Sequence, residues 1–597
     1  MAPRPQVLVL GSGPASQADL RFMKLARFYG IPAVRVQAAE GGELWEGRPA
    51  PLPSIRYAVA ASAETLAALM GNPDLSAKVV ELLFSRPASV LAYGFTPGAG
   101  PQKLLPWLTA GKIQAVSPID VEGGRYEVTN DSPSVCQQMS GITFGPTLQE
   151  NDSVFGGRSD DPSILDLITI QKKPFFMSLM RGPCRLYLLA SKDVADIDEY
   201  WGPSQTWERV FSRLAPYVMF LRHVMGDSCW HAPKRFASLV IDDPLLKDTY
   251  GALSYARLLK EMDRRDFFSN IAFIPVNYRR SRRATTELFL RRPDRFALCI
   301  HGCDHTKAEF GDSRFDILNE KAGRAILRMQ RHETLTGLPF EKVMVFPQGL
   351  FSSEAMRALK RNRYLAAVNT HGHPTHPFAG LRLSHLLEPA VTAYEGFPLF
   401  LRRTPENIAS FAFDLFLGKP ALIVVHQDYF RKGYDGLGDF IQKIHSVDPG
   451  LCWKSLKRIV TETCLVRREA PNIHHVRAYA SFLVLENHAK EAATIHISKD
   501  EPAESTVAGV LFSGVPVPFQ REPEGIYASI ELGPDVSGGL EIIYEDRLLR
   551  AARQPGPFHA ARVWTRRLLS EIRDEHVSQS SLLRYVLARI RKAADRR

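Results

Sequence analysis

The spacing of apolar positions changes along this chain, and each change marks a different kind of element. Up to about residue 230, short apolar runs (Val7 to Leu10, Ala33 to Gln37, Ile55 to Ala61) alternate with helical patterns (Ala18 to Tyr29, Ala63 to Met70). Runs too short for buried helices, interleaved with amphipathic ones, predict an α/β layer on a parallel sheet. Phe175 to Met177 and Cys184 to Leu189 flank Arg181-Gly182-Pro183 and predict a hairpin that closes this first domain, 1–230. A helical pattern from Trp207 to Met225 leads out of it.

From Phe236 the pattern is βα, repeated. Apolar strand candidates are Phe236 to Ile241, Asn270 to Pro275, Phe296 to Ile300, Val343 to Phe346, Leu365 to Val368, Leu399 to Leu401 and Ala421 to Val425. Helical stretches such as Tyr255 to Arg264 and Phe315 to Leu335 lie between them. Seven strands with intervening helices over 231–470 predict a closed (β/α)7 barrel rather than an open sheet. After 475 the helical spacing disappears, and Ala478 to Leu485, Ala493 to Ile497, Ile526 to Leu532 and Leu540 to Tyr544 predict a small β-sandwich over 475–552. The tail, 553–597, reads as a basic helix with Leu582, Leu583, Val586, Leu587 and Ile590 on one face, which suits docking on the protein's own surface or on a membrane surface.

Composition narrows the classes. No run approaches the ~20 apolar residues that cross a bilayer, and the apolar run after Met1 is too short for a signal peptide, so a cytoplasmic protein is expected. Seven scattered cysteines without a CxxC pair fit a reducing compartment. The net charge of +11 favours polyanionic neighbours without choosing among them, and no zinc-finger or RRM signature points to specific nucleic-acid binding. Gly11-Ser12-Gly13-Pro14-Ala15-Ser16 follows the first strand but lacks the third glycine of a dinucleotide loop, which favours a plain strand-to-helix turn.

Chemistry concentrates at the ends of the barrel strands, where α/β barrels carry their active faces. The first strand candidate ends in Asp242-Asp243, the third in His301-Gly302-Cys303-Asp304-His305, and the last in His426. If the segment turns helically, His301 and His305 share a face, and both imidazoles can reach one divalent ion together with a carboxylate. Two histidines and one aspartate leave coordination positions open for water and substrate, as acyl hydrolysis requires. Asp242 could then take a proton from the water, and His426 could protonate the leaving group.

At these residues the chain resembles the polysaccharide deacetylase (NodB-homology, carbohydrate esterase) family. Asp242-Asp243 corresponds to its Asp-Asp pair, His301 and His305 to its His-x-x-x-His pair, and Leu422 to His426 to its late strand ending in His. The resemblance implies a distorted barrel of deacetylase type, with Asp242 as general base, Asp243, His301 and His305 binding a divalent metal, usually zinc, and His426 as general acid. In Val345-Phe346-Pro347-Gln348-Gly349 the family's proline and glycine are kept, but Val345 stands where its arginine orients the base. Asp242 is therefore expected to be a less efficient base unless Arg402 or Arg403, at the end of another strand candidate, reaches across instead. Pro347, Gly349, Arg402 and Trp453 are expected on the substrate side, with Trp453 either an aromatic wall for the acetyl group or a residue that packs a terminal barrel helix onto the core.

Other residues invite competing readings. His371-Gly372-His373-Pro374-Thr375-His376 is denser in histidine, but its glycine and prolines break regular structure and it holds no carboxylate, so a loop near the barrel mouth is expected. Cys303 has no nucleophile signature around it, and Asp304 reads as a supporting or solvent-facing residue. The expected function is a hydrolase that removes an acetyl or similar acyl group from an amino sugar of a glycan or glycan precursor. A glycan-binding scaffold impaired by the loss at Val345 is the first alternative. A glycoside hydrolase is the second, although it needs a further strand-end acid that the chain does not offer as clearly as Asp242.

Overall fold

Where side chains are buried on both faces of a strand, the apolar runs of the sequence became the strands of the structure. The computed structural model describes residues 5–37, 57–71, 83–84, 88–119, 124–146, 152–191 and 193–545, with Phe558, Ala561, Val563, Thr565 and Arg566. The remainder of the tail predicted for 553–597, and the first two residues of the run from Ile55, lie outside the described residues. The chain divides into two compact units, residues 1–231 with two short later segments, and the rest.

The first unit holds a nine-stranded sheet. Ala33–Gln37, Gln6–Gly11, Tyr57–Ser62, Ser89–Tyr93 and Cys184–Leu189 run parallel in that order. Beyond them the sheet is antiparallel through Lys173–Arg181, Leu165–Ile170 and Tyr126–Val128, so it is mixed rather than parallel throughout. The switch occurs at the predicted hairpin: Arg181 pairs with Cys184, and Gly182 has φ +58°, the sign that the first position of a tight type II′ turn needs. The Gly11–Ser16 loop is a strand-to-helix turn. Ser16 caps the helix Gln17–Phe28 in a capping box with Asp19, and the guanidinium of Arg35 donates to the carbonyl of Gly13.

The second unit contains the barrel. Its strands, in chain order, are Phe236–Asp242, Ser269–Phe273, Phe296–His301, Glu341–Val345, Ala366–Asn369, Leu399–Leu401 and Ala421–His426. All neighbours are parallel, and the first strand lies between the second and the seventh. Every residue of the first strand is buried, as a parallel strand covered on both faces must be. Closure is slight. The sixth strand is three residues long, and it meets the seventh only at Arg403, whose N–H donates to Leu422 O at 2.9 Å and whose carbonyl accepts from Val424 N at 2.9 Å. Ser254, Ser352, Asn407 and Ser455 cap surrounding helices through their side chains. Among the described residues, no helix is long and apolar enough to cross a membrane.

Two antiparallel sheets follow. One orders Phe482–Asn487, Val536–Tyr544, Val507–Phe512 and Val515–Val517; the other includes Ala493–Asp500, Gly525–Leu532 and Phe519–Glu522. Alternate residues of Ala493–Asp500 are buried, which is the period of a half-covered strand. Glu501 anchors this region to the barrel. Its carboxylate, 1% exposed, accepts from Lys499 Nζ at 2.6 Å, from Tyr544 Oη at 2.9 Å and from Lys360 of the barrel helix Ser353–Arg361. Burial alone would raise the Glu501 pKa, but Lys499 and Lys360 bring it below the ordinary glutamate value.

Glu501→Ala would leave two buried ammonium groups without their carboxylate, and a loss of about 3–5 kcal/mol in urea unfolding is expected. Because the folded-state pKa is depressed, the contribution of Glu501 is complete above the ordinary glutamate pKa and fades as pH falls through the lower folded value. The stability gap between wild type and variant should therefore narrow in acid, which unfolding curves across that range would measure.

Candidate metal centre

The ends of the first and third barrel strands bring the centre together. Asp243 follows the first strand, His301 ends the third, and His305 stands four residues later; their ligand atoms fall within 4.8 Å of one another. His301 Nε2 is 3.2 Å and His305 Nε2 3.0 Å from the same oxygen, Asp243 Oδ1. Yet that buried oxygen has no aligned hydrogen-bond donor. His301 Nδ1 lies 3.0 Å from the carbonyl of Val345, and a proton used there leaves the Nε2 lone pair facing Asp243. Ligand atoms that share one ion at about 2.0–2.2 Å stand roughly 3 Å apart, and the three groups fit a divalent cation by both spacing and donor type.

The two histidines do not share a helical face as the i, i+4 spacing suggested. Residues 302–305 form a bend wound around a single carboxylate. Glu309 Oε2 accepts from the backbone N–H of Cys303 at 2.9 Å and of His305 at 3.0 Å, and Oε1 accepts from Asp304 N at 2.8 Å. A buried anion that gathers three N–H groups replaces the helix as the device that turns His305 back toward His301. Gly302 makes the first step of this bend: its φ is +63°, and a side chain there would meet Pro347 Cγ at 2.4 Å. Arg328, on the helix Phe315–Thr336, fastens the outer side through Asp304 Oδ1 at 2.5 Å and the Cys303 carbonyl at 3.1 Å. Asp304 is thus buried and paired, not solvent-facing. Cys303, Asp304 and Glu309 also cluster closely enough to hold an ion, but both oxygens of Glu309 are occupied by amides and Asp304 by a guanidinium.

Glu309 escaped the sequence reading. Its only signal was an acid set between Ala308 and Phe310. Asp243 and His305 both have positive φ, +78° and +56°, a conformation that L-residues adopt at a cost and that clusters at functional sites.

Asp242 lies next to the centre and is 3% exposed. Arg402 holds it by two parallel bonds, Nη1 to Oδ1 and Nη2 to Oδ2, both 2.6 Å. Burial would raise the Asp242 carboxyl; Arg402, followed by the nearby His301, keeps it below the ordinary value. Of the two arginines at this strand end, alternation along the strand selects Arg402 for the interior. Arg403 turns the other way, and its guanidinium pairs with Asp414. His426 is exposed and stands in register with Asp242 on the neighbouring strand.

The remaining residues expected on the substrate side divide. Pro347 is buried against Gly302 and supports the histidine bend. Gly349 belongs to the mouth: Asn369 Nδ2 donates to its carbonyl and to that of His371, both at 2.9 Å, and His371 Cδ2 lies 3.3 Å from the side-chain position of Gly349. The histidine-rich segment is therefore a loop pinned beside the barrel mouth. Trp453 is at the wrong end for an acetyl wall. It pairs with Ala237, five residues before Asp242 and so roughly 16 Å away along the strand, and it packs on Phe267 and His445. Cys303 is no nucleophile, since burial, and then Asp304 and Glu309, push its thiol well above the ordinary value.

No protein-family model matches this chain, and no curated protein matches it. Solved structures similar to it include the carbohydrate deacetylase Agd3, at 11% identity over 90% of this chain and 99% of that one with a TM-score of 0.45. A putative polysaccharide deacetylase from Mycobacterium smegmatis aligns at 13% identity over 38% of this chain and 90% of its own, with a TM-score of 0.27. A family 4 carbohydrate esterase from Streptomyces lividans, in complex with acetate, aligns at 12% identity over 37% and 93%, with a TM-score of 0.24.

Glu309→Ala should free the amides of Cys303, Asp304 and His305. Hydrogen–deuterium exchange of the 302–309 peptide should show local opening easier by roughly 2 kcal/mol or more, while peptides from the first barrel strand keep their protection.

Proposed function

We propose that this chain is a metal-dependent hydrolase that removes an acetyl or similar acyl group from an amino sugar of a glycan or glycan precursor. The observation that carries the reading is the convergence of His301 Nε2 and His305 Nε2 on the donorless oxygen of Asp243, beside a carboxylate held by arginine. Two imidazoles and one carboxylate suit zinc, and positions remain open. A divalent ion held there supplies Lewis acidity, polarising an acyl carbonyl and acidifying a water.

The chain's own residues divide the proton work. Asp242 is kept ionised by Arg402 and accepts a proton on a carboxylate oxygen; each oxygen uses one lone pair on the guanidinium and retains another. The same pairing weakens Asp242 as a base, which is the cost of holding it ready and oriented. His426, exposed and across from Asp242 on the next strand, donates a proton to the leaving amine. His305, with 17% of its side chain exposed, borders the open side, whereas His301 is closed off at 2%. The scaffold reading took its motive from Val345, and the pairing of Arg402 with Asp242 supports turnover over it.

His301→Ala should lose the bound metal and all deacetylation of N-acetylglucosamine oligomers; equal metal content in wild type and variant, read by mass spectrometry of the native protein, would sink the assignment. Asp242→Asn should leave metal content intact and lower kcat by about 10²–10⁴, the usual size of an acid–base contribution. A kcat within a factor of two of wild type would remove Asp242 from the proton path.

A further inference from the structure

The loop after the second barrel strand reads Tyr278-Arg279-Arg280-Ser281-Arg282-Arg283, and all four arginines are exposed. It opens on the same face as the metal centre and is fixed between the two loops that carry the ligands. On one side Val276 N donates to Cys303 O at 3.1 Å; on the other Arg282 N donates to Leu246 O, just past Asp243, at 2.7 Å. Ser281 Oγ meets His332 Nε2 at 2.8 Å beneath the loop. The charge is therefore held in place rather than spread by a mobile segment. Lys307, in the histidine bend's own loop, is exposed as well.

A row of surface cations is commonly only a solvated face, but two features argue otherwise here. Arg282 and Arg283 are the N-cap and first residue of the helix Arg283–Arg291, with no side-chain cap bond. Cations at that end oppose the helix dipole and forgo the caps used elsewhere in the barrel. A locally unfavourable choice of this kind is expected where function requires it. Neutralisation is also incomplete. Arg283 pairs with Glu287 at 2.7 Å and Arg282 stands 3.8 Å from Asp248, while Arg279 lies over the Tyr278 ring at 5.1 Å and, among the described residues, has no ion-pair partner. Planar guanidinium forks match carboxylate and phosphate oxygens.

We propose that the glycan processed at this centre is anionic, and that the Arg279–Arg283 segment recognises its carboxylate or phosphate groups while an acylated amino sugar occupies the metal centre. This rests on the hydrolase reading and narrows its substrate class. Recognition lies outside the reacting atoms, so it acts on binding and on the salt dependence of binding.

The test uses the full-length protein and calorimetric titration with three probes. These are N-acetylchitohexaose, which is neutral; a hyaluronan hexasaccharide, which carries carboxylates; and UDP-N-acetylglucosamine, which carries a pyrophosphate. At least one anionic probe should bind roughly tenfold more tightly than the neutral one. Its affinity should fall with added NaCl, and most of the advantage should disappear in Arg279→Gln/Arg280→Gln. Which anionic probe wins identifies the recognised group. Equal affinity for all three probes, or an anionic preference indifferent to salt and to the double substitution, would overturn the proposal. A chain that binds the anionic probe and deacetylates none of the three leaves the recognition standing and overturns the hydrolase reading. One that deacetylates the neutral oligomer without anionic preference does the reverse.

Discussion

The buried pair of Asp242 and Arg402 is the constraint around which the barrel's active end is arranged. It joins the first strand to the sixth through the interior, and both side chains are almost wholly withdrawn from water. Two charges so placed are tolerable only when their geometry is good, and here two parallel bonds of equal length satisfy it. The pair also acts where the wall is thinnest, because the sixth strand has little hydrogen bonding to the seventh. One ion pair thus fixes a carboxylate and ties a short strand into the barrel.

Around this pair each loop is stabilised by a different device. The histidine bend winds on Glu309, the fourth strand's end contributes a carbonyl to His301 and a proline to Gly302, and Asn369 ties the fifth strand's end to its neighbour. The loops around the candidate centre are held by the chain's own hydrogen bonds.

The barrel was legible because its strands are buried on both faces and read as unbroken apolar runs; all seven appear within a few residues of the expected limits. The grouping of Asp243, His301 and His305 was legible because all three lie at or just past strand ends on one side of the barrel. What escaped depended on direction. The choice between Arg402 and Arg403 needs the phase of a three-residue strand, which apolar spacing does not reveal. The histidine spacing suggested a helix because i, i+4 is the helical interval, whereas a remote-seeming glutamate imposed a bend instead. Trp453 was left between a substrate wall and core packing because chain position says nothing of register, and its pairing with Ala237 at the far end of the barrel favours packing. In the first unit, a two-residue turn reversed the sheet's direction and made mixed what periodicity alone read as parallel.

The left-handed backbone at Asp243 and His305 restricts which residues can occupy the centre. In the proposed metal role each position presents a ligand atom, and each rests at positive φ. Asparagine, aspartate and histidine are the side-chain-bearing residues that enter this region most readily. Aspartate and histidine are the strong ligands among them. Cysteine and glutamate coordinate as well in general, but at these two sites they would do so from a conformation they disfavour. Coordination chemistry and backbone geometry therefore draw on the same small alphabet, and drift at either position is confined by two independent selections at once.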